Sequence, residues 1–218
     1  MYFSILKPIV LNYEILSAFV LASTALAFAP GPDNIYVLTQ SIVNGRKYGL
    51  ATTMGLVSGC LVHTTLLAFG ISAIIKESDQ LFFVIKLMGA LYLFYLAYKV
   101  FRSDSTLQLC NDEVPRKGML QLFKQGFVMN VLNPKVTIFF LAFFPGFLFS
   151  DTMGHVAQFY ILGLLFMFVA FVVFGLIAVL SGLISDYLTE HSKAGLVLKW
   201  LQIFVFIGIG VFVLLSNK

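Results

Sequence analysis

Two ionisable residues interrupt long apolar runs, each beside a proline: Asp33 in Pro30-Gly31-Pro32-Asp33-Asn34 and Lys135 in Asn133-Pro134-Lys135. A charge at the centre of a membrane-spanning helix costs about 2.5–3.5 kcal/mol on insertion scales, so each needs a partner or a purpose. One carboxylate and one ammonium suit a solute that carries both charges itself. In that reading Asp33 faces an ammonium and Lys135 a carboxylate, while Asn34 and Asn133 add neutral hydrogen bonds. Backbone donors at a half-helix start would assist, because free N–H groups and the helix dipole favour anions. The competing reading is a structural ion pair between Asp33 and Lys135, since buried charges commonly pair.

The prolines define how these residues are held. Proline removes a backbone donor and clashes with the preceding turn, and glycine loosens the helix further. Pro30, Gly31 and Pro32 should therefore end one half-helix and start another, with Pro32 suited to the first helical position. Pro134 does the same in the second run. Prolines also merely kink membrane helices, where they are frequent. Against a simple kink, the two breaks share a depth. Asp33 lies ten residues before Val43 and Pro134 ten residues after Lys124. Both stand roughly 15 Å from the same boundary, near the bilayer midplane. Breaks at matching places in two halves of a chain are a sequence pointer to a transporter's binding site.

Other polar positions are less distinctive. Ala51, Gly55, Gly59 and His63 recur every four residues and share a helix face. The glycines suit close helix packing. His63 is either a proton carrier, as Asp33 also is in this reading, or a hydrogen-bonded packing histidine. Tyr92, Tyr95 and Tyr98 fit packing or interface roles, and Lys86 is expected to snorkel. Cys60 lies in an apolar run and Cys110 in a polar loop, which supports neither a disulfide nor a metal site.

The elements that must position these groups follow from composition. The 218-residue chain is 60% hydrophobic and 11% charged, with a mean hydropathy of +0.96. A soluble domain carries about a quarter charged residues, so the solvent here is lipid. A helix needs roughly 20 apolar residues to cross the bilayer. Six stretches qualify: Ile15 to Ile42 (interrupted), Gly49 to Ile75, Leu81 to Phe101, Phe127 to Phe149 (interrupted), Val156 to Ile184 and Leu198 to Leu215. They are apolar all round, unlike the alternating strands of a β-barrel. Lys7 and Ala25-Leu26-Ala27 imitate a cleavable signal, but Glu14 directly precedes the run, which resumes beyond Pro32.

The expected fold is thus an all-α integral membrane protein of six transmembrane helices, with helices one and four broken near the midplane. It forms a single transporter domain over residues 1–218. Half one covers about residues 13–101, a cytoplasmic linker 102–120 and half two about 121–215. Three spans per half is an odd number, so the halves lie inverted relative to one another. Arg46, Lys47, Lys99, Arg102, Arg116, Lys117, Lys124, Lys193 and Lys199 gather on one side. Lys7, Lys76, Lys86 and Lys218 fall on the other. By the positive-inside rule the first group is cytoplasmic and both termini lie outside, with Trp200 as an interfacial anchor.

These residues carry a resemblance. Ala29-Pro30-Gly31-Pro32-Asp33-Asn34, Gly45-Arg46-Lys47-Tyr48-Gly49-Leu50 and Gly55-Leu56-Val57-Ser58-Gly59 leading to His63 cover the first half. Gly126-Phe127, Asn130, Asn133-Pro134-Lys135, Phe139-Phe140 and Phe144-Pro145 cover the second. Together they resemble the lysine-exporter superfamily, in its homoserine/threonine-resistance (LysE/RhtB) branch. The resemblance implies export of amino acids or their derivatives across a bacterial inner membrane, driven by the proton gradient or by exchange. Its partners would be the small-molecule substrate and membrane lipid, with the homo-oligomeric state left open.

Two other classes compete. The superfamily includes cation exporters, but a soft-metal path calls for clustered Cys and His. His63, His155 and His191 fall in three separate segments, away from both cysteines. An intramembrane enzyme would call for a zinc-protease motif, a nucleophile elbow or paired acids, and none is present. No motif asks for a cofactor. The net charge of +4 sits at helix ends rather than in a nucleic-acid-binding patch.

Overall fold

The computed structural model describes residues 12–103, 117–191 and 193–215. The first apolar run becomes α1 (Tyr13–Phe28) and α2 (Pro32–Val43), bent by 59° at their junction. Asn12 caps α1, its side-chain oxygen accepting from the Glu14 and Ile15 amides at 3.1 and 3.2 Å. The turn into α3 is short and needs a backbone that β-carbons disfavour: Gly45 adopts φ +100°. Then α3 (Arg46–Leu66) runs through one π-helical turn at Leu67–Ile71 into α4 (Ser72–Glu77), and α5 (Asp79–Arg102) completes the half.

The second half repeats this order. Helices α6 (Met119–Val131) and α7 (Pro134–Phe143) are bent by 52°, and α7 ends in a 3-10 turn at Phe144–Phe147. They are followed by α8 (His155–Val179), α9 (Ser181–Glu190) and α10 (Ala194–Leu215). Among the described residues four helices are each long and apolar enough to cross a membrane, and each bent pair adds one span, giving six. The chain is a multi-pass membrane protein of two inverted three-span halves.

Some boundaries differ from the sequence reading. The fourth span starts at Met119 rather than Phe127, because Gln121, Lys124 and Gln125 are good helix formers that extend the helix beyond its apolar part. Lys117 Nζ donates to Gln125 Oε1 there at 2.8 Å. The fifth run, read as continuous to Ile184, breaks at Leu180, and the remainder forms the separate helix α9. Hydropathy averaged over the run did not show that break, although Ser181-Gly182 follows it directly. The π turn in span two was also unforeseen. Most of the 102–120 linker lies outside the described residues, as do Lys7 and Lys218.

Each half contributes its first span to the other. Helix α6 packs most extensively on α3, α1 packs on α8, and the last spans α5 and α10 pair. In lipid no hydrophobic force draws helices together, so close van der Waals approach must do it. The crossing of α3 and α6 meets that requirement with glycine. A β-carbon on Gly59 would come within 2.7 Å of Asn130 Oδ1, and one on Gly55 would collide with the Phe123 carbonyl. The packing role read for these glycines therefore holds.

An aromatic cluster binds α1 to α7 and to the turn that follows it. The Phe139 and Phe143 ring centroids lie 4.4 Å apart, Phe140 and Phe144 4.2 Å, and Phe19 meets Phe144 edge-on at 5.1 Å. All five are fully buried. Aromatic pairs contribute roughly 0.5–1.5 kcal/mol each beyond the area they bury.

Candidate substrate site at the helix breaks

A broken helix frees carbonyls at the end of one segment and N–H groups at the start of the next. Both breaks satisfy these groups from within. At the first, Ala29 N–H returns to the Ala25 and Leu26 carbonyls, and Asn34 Nδ2 donates to the Ala27 carbonyl at 2.8 Å. Pro32 stands at the start of α2, where its missing N–H costs nothing. At the second, the Asn130 carbonyl accepts from Asn133 N–H at 3.0 Å and meets His63 Nε2 at 3.1 Å. Pro134 starts α7, and Asn133 Oδ1 caps it by accepting from Lys135 N–H at 3.0 Å.

The two starts face each other. Asn133 Nδ2 donates to both carboxylate oxygens of Asp33, at 3.1 and 3.3 Å. Asp33 is 8% exposed. Lys135 belongs to the same cavity, but among the described residues no direct ion pair joins it to Asp33. Its Nζ instead lies 5.0 Å from the centroid of the Phe206 ring on α10. Gly31 makes room for it, since a β-carbon there would be 3.3 Å from Nζ. The structure thus brings Pro30, Gly31, Pro32, Asp33, Asn34, Asn133, Pro134 and Lys135 to one place, where an amide contacts Asp33 and the ion pair of the competing reading is not formed.

The cavity between the breaks has a volume of about 40 Å³. That admits water but falls far short of the roughly 300 Å³ at which ligand pockets begin. Its polar lining comes from Asp33, Asn34, Cys60, Asn130 and Lys135. Phe139, Phe166 and Phe174 form an aromatic wall. Asp33 is the only carboxylate in this lining.

Several contributors were not legible in the sequence. Asn130 and Cys60 approach each other across the glycine crossing, Sγ to Oδ1 at 3.6 Å. Asn130 precedes Pro134 by one helical turn, and that spacing was the available hint. Nothing in the sequence indicated Phe206. His63 does not line the cavity: it is buried behind it, bound to the Asn130 carbonyl and packed 5.5 Å from the Phe140 ring. Lys86 is 7% exposed and lies over the Phe82 ring at 5.8 Å. Tyr95 and Tyr98 are exposed on the lipid side. Among the described residues, no group of three His, Cys, Asp or Glu gathers as a metal site.

Two half-helix starts carrying opposite charges, inside an inverted pair of three-span halves, define a membrane translocator rather than a structural bundle. The chain belongs to the LysE type translocator family, whose family model matches residues 24–217. It is 31% identical over 153 residues to a homoserine/homoserine lactone efflux protein of Salmonella typhimurium, covering 70% of this chain and 73% of that protein. Similarity to a leucine efflux protein of Klebsiella pneumoniae extends over 199 residues at 25% identity, covering 91% and 92%. An uncharacterized membrane protein of Bacillus subtilis is 28% identical over 195 residues, 86% of each chain. No solved structure matches the chain.

Proposed function

We propose that this protein is a secondary transporter of the bacterial inner membrane that exports an amino acid or a close derivative from the cytoplasm. The observation that carries the reading is the joint placement of Asp33 and Lys135 in one cavity, each on the start of a half-helix from a different half. An amino acid brings an ammonium and a carboxylate a few ångströms apart. Asp33 takes the ammonium. Lys135 takes the carboxylate, assisted by the dipole at the start of α7. The Asn34 and Asn133 amides stand beside these charges as further hydrogen-bonding groups.

A cationic side chain would need a second carboxylate, and the lining has only Asp33. The substrate's side chain is therefore uncharged and rests on the aromatic wall. Relatives whose names specify homoserine, its lactone and leucine agree with this. In this reading the positive-inside rule puts the end of α2 and the start of α6 in the cytoplasm and both termini outside. On that orientation the aromatic cluster closes the exit side, and rocking of the halves must open it. Proton coupling, or exchange of one solute for another, runs through Asp33 in this reading. His63, with its ring nitrogen committed to the Asn130 carbonyl, serves the fold.

Proteoliposomes loaded with single amino acids test this directly. Efflux of neutral amino acids that vanishes in Asp33→Asn and Lys135→Gln is the expected result. Equal, background efflux for every amino acid, with metal ions leaving instead, would overturn the reading.

A further inference from the structure

We propose that Asn133 is a positioning residue that latches the two halves together while the carrier is empty, and that the substrate's ammonium releases it. This rests on the reading of Asp33 as the ammonium site. The Asn133 amide is used at both ends. Its oxygen caps α7 through Lys135 N–H at 3.0 Å, and its nitrogen spans both oxygens of Asp33 at 3.1 and 3.3 Å. Among the described residues, no other hydrogen bond joins the α2 and α7 segments, which otherwise touch little. One amide is therefore the polar tie between a half-helix of the first half and a half-helix of the second.

The geometry makes this tie exclusive of substrate. Asp33 is nearly enclosed, and the amide nitrogen occupies the face of the carboxylate that an ammonium needs. A full positive charge is the stronger partner for a carboxylate than a neutral amide. When the ammonium takes Asp33, the amide loses that bond but keeps its cap on Lys135 N–H. Helix α7 stays intact while its connection to α2 is cut. The small volume of the cavity fits the same picture, because a substrate cannot enter without separating these segments. Binding and the release of α2 from α7 become one event.

Serine at position 133 separates the latch from the cap. Its hydroxyl still accepts from the Lys135 N–H as an N-cap, but it is too short to hold Asp33. We compare full-length parent, Asn133→Ser and Asn133→Ala in lipid nanodiscs, reading backbone hydrogen exchange of α2 and α7 by mass spectrometry, with leucine and homoserine as binding probes. Without amino acid, Asn133→Ser should exchange at least about tenfold faster than the parent in these segments, the scale of one hydrogen bond to a charged group. Amino acid should raise exchange in the parent but not in the variant. If Asn133→Ser exchanges like the parent and only Asn133→Ala changes, Asn133 is a helix cap and the latch is wrong. Weaker binding by Asn133→Ser with unchanged exchange would make Asn133 a substrate ligand instead, which also overturns it. Should the parent bind no amino acid, the transport reading fails separately, while the substrate-free comparison still decides the latch.

Discussion

The Asn133 amide nitrogen lies 3.1 and 3.3 Å from the two carboxylate oxygens of Asp33, a residue one hundred positions away in the chain. That contact joins two half-helix starts near the middle of the bilayer. It explains how a carboxylate persists in an apolar setting without a direct ion pair, since a hydrogen-bonded charge escapes much of the cost of burial. It also leaves Lys135 unpaired with Asp33, its ammonium resting over the Phe206 ring.

Neutralising either charge should damage binding more than folding. We expect Asp33→Asn and Lys135→Gln to weaken amino-acid binding on the order of 10- to 100-fold, the range for hydrogen bonds to charged groups. Isothermal titration of the purified variants checks this. Parent-like affinity in both would reduce the two charges to structural roles.

Restoring a continuous first helix should abolish transport. Replacing Pro30 and Pro32 with alanine removes the obstacles to helical bonding between α1 and α2. The double variant should insert in normal amounts yet show efflux at background level. Normal efflux from a well-inserted variant would make these prolines ordinary kinks.

The glycine crossing of α3 and α6 should tolerate no side chain. A β-carbon at Gly55 would meet the Phe123 backbone carbonyl, which cannot rotate away. Gly55→Ala should therefore destabilise the protein by about 1–3 kcal/mol, the usual cost of overpacking. Thermal unfolding in detergent reads the effect. A smaller loss is expected for Gly182→Ala, where a β-carbon meets open space.

His63 should be replaceable by a side chain that donates to the Asn130 carbonyl. Glutamine retains a donor of similar reach, whereas alanine leaves that carbonyl only its bond from Asn133 N–H and loses one hydrogen bond, at a cost of about 0.5–1.5 kcal/mol. We expect His63→Gln to keep efflux and its pH profile, and His63→Ala to lose stability. A pH profile that flattens in His63→Gln would instead mark the ring as the proton carrier.

Orientation follows from charge and is open to labelling in intact cells. A cysteine at Ser103, beside Lys99 and Arg102, should resist a membrane-impermeant thiol reagent, and one at Thr152 should react. Both positions are exposed in the structure. The reverse pattern would invert the exporter.

Sequence alone determined what depends on local chemistry. Unbroken apolarity made the chain a membrane protein and marked its spans, because lipid leaves a backbone no other partner than its own helix. Proline stereochemistry marked both breaks, and the cost of a charge in lipid singled out Asp33 and Lys135. Only the tertiary structure decided how these meet. An amide rather than an ammonium contacts Asp33, Gly31 leaves room for Lys135, and His63 turns from the cavity to close the end of α6. Asn130, Cys60 and Phe206 joined the site because of how α3, α6 and α10 cross. The π turn and the break at Leu180 were equally hidden. Hydropathy records how apolar a residue is but not which way it points, and the contacts between segments a hundred residues apart depend on direction.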